Sequence, residues 1–371
     1  MKIDDFLVEG WLNEYEEHVE VNLAETCVNP FTLLEFLQLT GNEDMMERLL
    51  GVKLTYGHIT GHPRLRGGIA SLYKSRSPDE VLVTGGAIEA NYNSFYSLIE
   101  PGDRVVAIVP TYQQLYSVAA GFGARVKLLW LNPGDGWLPD LEALKELVDR
   151  RTRMIVINNP NNPTGSLMDE KLLRAVAEIA EDAGAILHSD ETYRGLYARE
   201  GDWTPSAVDV YEKAVVTGSF SKALSLTGLR LGWITAGKEI IKECQRHRDY
   251  TTISKGVLDE ALATIAMENY SKIVERSNGI MRYNLGKVDE WLRNQPKVSW
   301  VRPRAASVGF LHCDIPMSSE DLCKKLITEK STLLVPGECF GVEGHVRLGF
   351  GNDIRILLEG FKRVDELLSW L

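Results

Sequence analysis

Five polar clusters in this chain each closely follow a short run of apolar residues. The runs are residues 81–83, 105–109, 154–157, 185–187 and 214–216, and the clusters begin at Thr84, Pro110, Asn159, Ser189 and Ser219. Apolar runs of this length are typical of strands that are buried on both faces of a parallel sheet. Open α/β sheets bind ligands at the carboxyl ends of their strands, so we expect the five clusters to meet at one site.

The order of the predicted elements indicates an α/β fold with a second, smaller part. Strand cores recur at residues 81–83, 105–109, 126–131, 154–157, 185–187, 215–217 and 231–236, with helical patterns between them, as at residues 172–183. Strands that alternate with helices form a mostly parallel sheet that is covered on both faces. We expect residues 46–268 to form this large domain and residues 269–371 a small α+β domain. Residues 1–45, with an amphipathic helix at 6–15, should pack against the small domain.

Composition and charge exclude several classes of protein. The chain has 371 residues, of which 44% are hydrophobic, which is ordinary for a globular protein with two lobes. Its net charge of −11, without a dense lysine or arginine run, argues against a nucleic-acid surface. No apolar stretch is long enough to span a membrane, and the acidic N-terminus lacks a signal core. The five cysteines are scattered, without zinc spacing, so we expect reduced thiols, no metal and a cytoplasmic location.

The cluster Ser219-Phe220-Ser221-Lys222 carries the most specific chemistry. A lysine at a strand end can be desolvated, which lowers its pKa and makes the amine a nucleophile. The hydroxyls of Ser219 and Ser221, with Arg230 a short loop away, suit an anionic phosphate. A Schiff-base lysine beside a phosphate site indicates pyridoxal 5'-phosphate (PLP) as the cofactor. The alternative at this point is an ordinary surface Ser-Lys turn.

Four motifs in order resemble those of a known family. They are N-P-x-N-P-T-G at residues 159–165, D-E-x-Y at 190–193, S-x-S-K at 219–222 and G-x-R-x-G at 228–232. From about Tyr56 to Arg347 the chain resembles the class I/II aminotransferases of PLP fold type I, the aspartate-aminotransferase-like superfamily. The resemblance implies a large domain with a seven-stranded, mostly parallel sheet between helices, and a smaller α+β domain.

The resemblance assigns the reacting groups. Lys222 is expected to hold PLP as a Schiff base and then to shuttle the Cα proton of the substrate. Asp190 is expected to face the pyridine nitrogen and keep it protonated, unless it is only a helix cap or turn residue. Glu191 is left unassigned, because neighbours on an extended segment point to opposite faces.

Further ring contacts follow from the same resemblance. Asn162 and Tyr193 are expected to donate hydrogen bonds to the phenolate oxygen of PLP, and Tyr112 to stack on its ring. An Asn-Pro turn is the alternative for Asn162, and a core tyrosine for Tyr112.

The phosphate is expected where a helix follows Gly85. Free N–H groups at a helix N-terminus bind anions, and glycine lets the backbone come close. Residues 87 and 88 lack the hydroxyl that many relatives carry, so side chains further along the chain must contribute. The implied phosphate-binding set is Gly86, Ala87, Ile88, Ser219, Ser221 and Arg230.

Two residues are expected to act at the edges of the site. Tyr56 resembles a tyrosine that reaches the phosphate of the other subunit, which implies a homodimer with shared active sites; a buried loop tyrosine is the alternative. Arg347, inside an apolar strand, resembles the arginine that clamps the α-carboxylate of the substrate, with Asn162 beside it.

The chain departs from the family where specificity arises. Residues 22–27 replace a G-x-P-like turn, and Glu25 within them can meet a cationic substrate side chain, although a surface glutamate is the plainer interpretation. His58 and His62 follow Tyr56 and can act as an acid/base, a gate or structural residues.

Three hypotheses of function follow. The first is an aminotransferase that acts on an α-amino acid and a 2-oxo acid. The second is another PLP reaction on the same scaffold: a capreomycidine-synthase-like cyclase, a β/γ-elimination or replacement lyase, or an arginine oxidase or hydroxylase. The third is a PLP-binding regulatory module, which predicts an additional DNA-binding domain and a basic surface that this sequence does not display.

Overall fold

Residues 2–371, the part that this computed structural model describes, contain thirteen α-helices and thirteen strands. The helices are α1 (Leu7–Tyr15), α2 (Leu33–Thr40), α3 (Met45–Leu50), α4 (Pro63–Ala70), α5 (Gly86–Leu98), α6 (Gln114–Gly121), α7 (Leu141–Leu147), α8 (Glu170–Ala183), α9 (Lys238–Arg248), α10 (Val257–Glu268), α11 (Tyr270–Asn294), α12 (Ser319–Lys330) and α13 (Ile354–Leu368). The strands are β1 (Val21–Asn22), β2 (Val81–Thr84), β3 (Arg104–Val109), β4 (Arg125–Trp130), β5 (Thr152–Asn158), β6 (Ile186–Asp190), β7 (Ala214–Ser219), β8 (Gly232–Thr235), β9 (Val298–Trp300), β10 (Val308–Cys313), β11 (Thr332–Leu333), β12 (Val335–Pro336) and β13 (His345–Gly349).

The large sheet confirms the predicted α/β fold. Its seven strands lie in the order β2-β8-β7-β6-β5-β3-β4, and only β8 runs antiparallel to the others. The neighbours β5, β6 and β7 end at the same edge, where Asn158 pairs with Asp190 and Asp190 with Thr217. The polar clusters that begin at Asn159 and Ser189 therefore lie side by side, and the cluster that begins at Ser219 lies at the end of the neighbouring strand β7.

Alternate residues of each central strand enter two separate apolar layers. In β3, Val106 and Ile108 belong to one buried cluster, whereas Val105 and Ala107 belong to the other. This alternation follows from the strand period of two residues, and it explains why the strands read as continuous apolar runs. The edge strand β4 instead alternates with exposed side chains such as Arg125.

Local signals fix where the helices begin and end. The helix predicted at residues 172–183 begins at Glu170, because the side chain of Asp169 accepts a hydrogen bond from the Leu172 N–H. It ends at Ala183, before Gly184 with φ +73°.

The C-terminal part has its own sheet, as predicted for an α+β lobe. Strands β12, β13, β10 and β9 form an antiparallel sheet, and α12 and α13 pack together beside it. The N-terminal segment joins this part: β1 pairs in parallel with β11, and the Trp11 indole donates to the Leu334 carbonyl at 2.9 Å. The predicted N-terminal helix is confirmed as α1, while the exact domain boundaries stay a prediction. Within residues 2–371, none of the helices has the length and apolar character needed to span a membrane.

Candidate active site

A cavity of about 280 Å³ opens at the carboxyl edge of the large sheet. Residues from β5–β7, from the start of α5, from β13 and from the N-terminal segment surround it. Most of the side chains selected from the sequence meet here: Glu25, Ala87, Ile88, Tyr112, Asn162, Asp190, Tyr193, Ser219, Ser221, Lys222, Arg230 and Arg347.

Lys222 lies in the turn that follows β7 and points toward the N-terminal segment. Its Nζ donates to Thr26 Oγ1 at 2.5 Å and to Cys27 Sγ at 3.3 Å. Burial disfavours the charged ammonium, but electrostatic interaction with Cys27, Tyr193 and Glu25 outweighs burial and raises the pKa of Lys222. Desolvation thus acts in the expected direction, but it does not decide the net direction of the pKa shift. Of these residues, Cys27 and Glu25 lie in the N-terminal segment, remote from Lys222 in sequence.

Asp190 ends β6 and is nearly completely buried. Its carboxylate accepts from Asn91 Nδ2 at 2.8 Å and from the Thr192 N–H at 2.9 Å. Burial raises the pKa of Asp190, and these hydrogen bonds act against the shift. Asn91 in turn accepts from the Thr217 hydroxyl at 2.7 Å, so the carboxylate is held from two sides. Sequence analysis missed Asn91, because a single polar residue on the buried face of a helix gives no motif.

The Glu191 side chain points away from the cavity, as expected for the neighbour of Asp190 on an extended segment. Its Oε1 accepts from the Ser206 hydroxyl at 2.9 Å and from the Ala207 N–H at 2.8 Å, and its Oε2 lies 3.6 Å from Arg194. These partners hold Glu191 away from the cavity that Asp190 faces.

The turn between β2 and α5 forms the end of the cavity that suits a phosphate. Gly86 has φ +81° and begins α5, so the first N–H groups of a 13-residue helix face outward here. A Cβ at Gly86 would lie 3.2 Å from Arg230 Nη2, and one at Gly232 only 2.6 Å from the Ala87 nitrogen. The backbone and a guanidinium thus approach closely at a helix start, which fits a dianionic phosphate group.

Asn158 and Asn162 organise the side opposite α5. Asn158 donates from Nδ2 to the Asp190 carbonyl at 2.9 Å, and its Oδ1 accepts from the Asn162 N–H at 2.7 Å. The Asn162 side chain accepts from Arg347 Nη1 at 3.3 Å through Oδ1, which leaves its Nδ2 donor for another partner. Asn158 was not selected from the sequence, because it lies within the strand that precedes the motif.

Arg347 is a buried cation at the edge of the cavity. It lies on β13, is 2% exposed, and donates from Nη2 to the Ala24 carbonyl at 3.1 Å. Burial lowers the pKa of Arg347, and its Nε has no hydrogen-bond partner among the described residues. A buried guanidinium N–H without a partner is costly, so the site fits a bound carboxylate.

The N-terminal segment closes the remaining side. Val8, Glu9, Leu12 and Glu16, from α1 and the turn after it, line the cavity together with Glu25. Tyr112 donates its hydroxyl to Glu9 Oε1 at 2.5 Å, and its ring centroid lies 4.8 Å from that of Phe6. The plainer interpretation of Glu25 as a surface residue is wrong. The amphipathic pattern of α1 predicted a buried face, but it contained no information on what that face covers.

Tyr56, His58 and His62 lie outside this cavity within one chain. They line a second cavity of about 480 Å³ with residues of α10 such as Glu260. Tyr56 is 77% exposed, so the alternative of a buried loop tyrosine is wrong. The two histidine rings contact each other edge to face at 5.2 Å, and burial lowers the pKa of His62.

Comparison with known proteins agrees with this geometry. A capreomycidine synthase from Streptomyces vinaceus is 28% identical over 98% of this chain and 93% of its own. An aspartate aminotransferase from Pyrococcus horikoshii is 30% identical over 83% of this chain and 82% of its own. The solved structure of a PLP-dependent aminotransferase from Streptococcus suis 89-1591 is 41% identical, with a TM-score of 0.96 over 100% of this chain and 98% of that chain.

A family model for aminotransferases of class I and II matches residues 44–359, which is most of the chain and includes every motif described above. The seven-stranded sheet and the cavity at its carboxyl edge are arranged as the family resemblance implied. The chain therefore belongs to the class I and II aminotransferases and is a PLP-dependent enzyme that transfers an amino group between an α-amino acid and a 2-oxo acid.

Proposed function

We propose that Lys222 is the lysine that binds PLP and moves the Cα proton of the amino acid. When bound, PLP supplies an electron sink for the pair of electrons left by that proton. The observation that carries this proposal is that Lys222 lines one cavity together with the buried carboxylate of Asp190 and the buried guanidinium of Arg347.

Asp190 is the proposed partner of the pyridine nitrogen. A buried carboxylate whose pKa is raised gains from a nearby positive charge, and a protonated ring nitrogen supplies one. Asn91 holds this carboxylate at 2.8 Å and acts as a positioning residue.

The other proposed cofactor contacts divide by chemistry. Gly86, Ala87 and Ile88 offer N–H groups at the start of α5, and Ser219, Ser221 and Arg230 offer hydroxyls and a guanidinium. Asn162 and Tyr193 are the proposed donors to the phenolate oxygen, and Tyr112 is the proposed stacking residue.

Arg347 is the proposed site for the α-carboxylate of the substrate, with Asn162 beside it and Glu25 toward the substrate side chain. The unpartnered Nε supports this role, because a carboxylate can accept from two guanidinium N–H groups at once. The amino group of the substrate then lies on the side of Lys222.

A homodimer with shared sites is the proposed assembly. Tyr56 is exposed on one chain, next to a cavity that carries no residue of the catalytic set, which suits a side chain that completes a neighbouring subunit. The cytoplasm is the proposed location, because all five cysteines are buried without disulfides.

A half-reaction tests the proposed chemistry. The holoenzyme, mixed with one amino acid and no 2-oxo acid, should release one 2-oxo acid per site and leave the pyridoxamine form of the cofactor. Added 2-oxo acid should then restore the starting absorbance. Release of ammonia, or of a cyclised product with unchanged cofactor, would contradict transamination.

A cyclisation like that of capreomycidine synthase is the second candidate. It is supported by the similarity to that enzyme over 98% of this chain, including the N-terminal segment that the family model does not match. Mass analysis of the products from the same half-reaction separates the two candidates.

A further inference from the structure

Three carboxylates form one wall of the active-site cavity. Glu9 comes from α1, Glu16 from the turn that follows α1, and Glu25 from the segment after β1. No arginine, lysine or histidine nitrogen among residues 2–371 lies within 4.0 Å of these carboxylates. The basic residues that line the same cavity are Lys222, Arg230 and Arg347, all of which have roles at the cofactor or the α-carboxylate.

The carboxylates are close enough to influence one another. Burial raises the pKa of Glu16, and the charges of Glu25 and Glu9 add to this effect. Burial also acts to raise the pKa of Glu25, but Lys222 and hydrogen bonds from Cys27 outweigh burial and lower it, so Glu25 is ionised. A group of carboxylates that lacks a directly paired cation is stabilised when a cation enters between them.

Two contacts fix this wall in place. Tyr112 donates to Glu9 Oε1 at 2.5 Å, and the Cys27 N–H donates to Glu25 Oε1 at 2.7 Å. The helix that carries Glu9 is itself held by Trp11, which is 8% exposed and donates to the Leu334 carbonyl. The charges of Glu9 and Glu25 are therefore held in the cavity wall, and the more exposed Glu16 lies beside them.

An independent feature indicates a second group that the occupant carries. The Arg347 guanidinium is 2% exposed, lines the same cavity, and has an Nε without a hydrogen-bond partner. This guanidinium suits a carboxylate of the bound molecule. The α-amine of that molecule is expected near Lys222, the proposed PLP-binding lysine. A molecule that satisfies the whole cavity has a carboxylate, an α-amine and a distal positive charge.

We propose that this enzyme selects α-amino acids with a cationic side chain, of the arginine, ornithine and lysine class, and that Glu9, Glu16 and Glu25 bind the distal cation. The proposal rests on the proposed roles of Lys222 and Arg347. It also separates this chain from relatives that act on aspartate, because an acidic side chain would lie among three carboxylates and be repelled.

Isosteric substrates test the role of charge. Arginine and citrulline have nearly the same shape, as do lysine and 2-aminoheptanoate, but only the first of each pair has a cationic side chain. We expect kcat/KM of the holoenzyme to favour the cationic member by about tenfold or more, as for hydrogen bonds to a charged group. Equal values for both members of each pair, or a preference for aspartate or glutamate, would overturn the proposal.

Matched variants locate the effect. Glu25→Gln, Glu9→Gln and the triple variant with Glu16→Gln should each reduce the ratio of kcat/KM for arginine over citrulline, with the triple variant bringing it close to one. Glu14→Gln is the control, because Glu14 is an exposed carboxylate on the same helix that does not line the cavity. A ratio that is unchanged in the triple variant would overturn the assignment of these residues.

Equilibrium binding separates this inference from the reaction itself. The probe 5-guanidinopentanoate keeps the carboxylate and the guanidinium but has no α-amine, so it cannot react. Calorimetry on the holoenzyme should show that it binds about tenfold or more tightly than its neutral isostere 5-ureidopentanoate, and that the triple variant loses this difference. If no amino acid reacts but the probe binds with this preference, the proposed function fails while the cation site stands. Equal binding of the two probes would sink the cation site alone.

Discussion

The Lys222 amine interacts with side chains that lie far from it in the sequence. Lys222 contacts Thr26 and Cys27, and its pKa is raised although it is buried. The motif around Lys222 was sufficient to predict which lysine lies in the site, because its local sequence is specific. It was not sufficient to predict the direction of the pKa shift, because Cys27 and Glu25, which contribute to that shift, lie almost 200 positions earlier.

Replacing Lys222 tests its proposed role. The Lys222→Ala variant should still bind PLP, through the start of α5, Arg230 and Asp190, but borohydride should no longer fix the cofactor to the protein. Mass spectrometry after borohydride treatment measures this. Lys213→Ala is the control, because Lys213 is exposed and lies outside the cavity. Covalent trapping on Lys213 in the wild-type protein would refute the assignment.

A second substitution tests the electronic role of Asp190. Asp190→Asn keeps the size of the side chain but removes the charge that faces the ring nitrogen, so the barrier for Cα deprotonation should rise by about 3 kcal/mol. Asn91→Ala, which removes only one of the contacts that orient Asp190, should have a smaller effect. Single-turnover rates with protiated and Cα-deuterated substrate measure both variants. Near-native rates in a folded Asp190→Asn protein would contradict the role.

Helix α1 is the secondary-structure element that gives this site its particular character. Its amphipathic pattern was readable from the sequence, and its boundaries agree with the prediction within about a residue at the N-terminal end. Its position over the cavity was not readable, because the contacts that place it reach Tyr112, Gln113 and Leu334. Periodicity shows that a helix has a buried face, but not which distant element covers that face.

Weaker packing of α1 should reduce the binding of the amino acid more than the binding of PLP. Trp11→Ala removes a buried indole and its hydrogen bond to Leu334, at a cost of about 3 kcal/mol to the packing of the helix. We expect KM for the amino acid to rise severalfold while the Kd for PLP changes little. Trp370→Ala is the matched control, because Trp370 is 85% exposed. Equal losses in KM and in PLP affinity would show that α1 supports the whole fold rather than the substrate side.

Strand β6 carries a pH dependence that is unrelated to catalysis. His188 is fully buried, stacks on Phe95 at 4.9 Å, and burial lowers its pKa from 6.5 to about 3. Below pH 6.5 the unfolded chain therefore binds a proton at His188, whereas the folded chain does not until the pH approaches 3. As the pH is lowered between these two values, the free energy of unfolding decreases by up to about 1.4 kcal/mol per pH unit.

The variant His188→Phe should remove this contribution. The decrease in unfolding free energy between pH 7.5 and 5.5 should become smaller by about 1 kcal/mol, measured from urea unfolding of the variant and the wild type. His18→Phe, at an exposed histidine, is the control and should retain the wild-type pH dependence. An unchanged slope in His188→Phe would mean that His188 can accept a proton within the fold.

The architecture of the whole molecule followed closely from the sequence, whereas its assembly did not. Most strands of the large sheet are buried and therefore consist of apolar runs, and all seven strands lie near their predicted positions. The sequence around Tyr56 resembles a family motif but did not indicate what surrounds this side chain. Within one chain Tyr56 is 77% exposed and lies outside the catalytic cavity. Contacts between subunits depend on surfaces formed only after folding, and the local sequence does not encode them in a readable pattern.

Subunit exchange tests whether Tyr56 completes the site of a neighbouring chain. The two parents are Tyr56→Asp, which places a negative charge where a phosphate is expected, and Lys222→Ala, which lacks the reactive amine. If Tyr56 acts in trans, a heterodimer of these chains has one site with both lesions and one site with none. If it acts in cis, each site has one lesion and stays impaired.

Mixing the two inactive parents under conditions that exchange subunits should therefore restore up to about half the specific activity per heterodimer. Native mass spectrometry with one tagged parent measures how much heterodimer forms. Arg64→Asp replaces Tyr56→Asp in the control mixture, since Arg64 is exposed beside the same second cavity and pairs with Glu268 within its own chain. That variant should be active alone and gain nothing from exchange. Heterodimers that form without recovery of activity would show that Tyr56 does not serve the partner's site, because only the trans arrangement leaves one site intact.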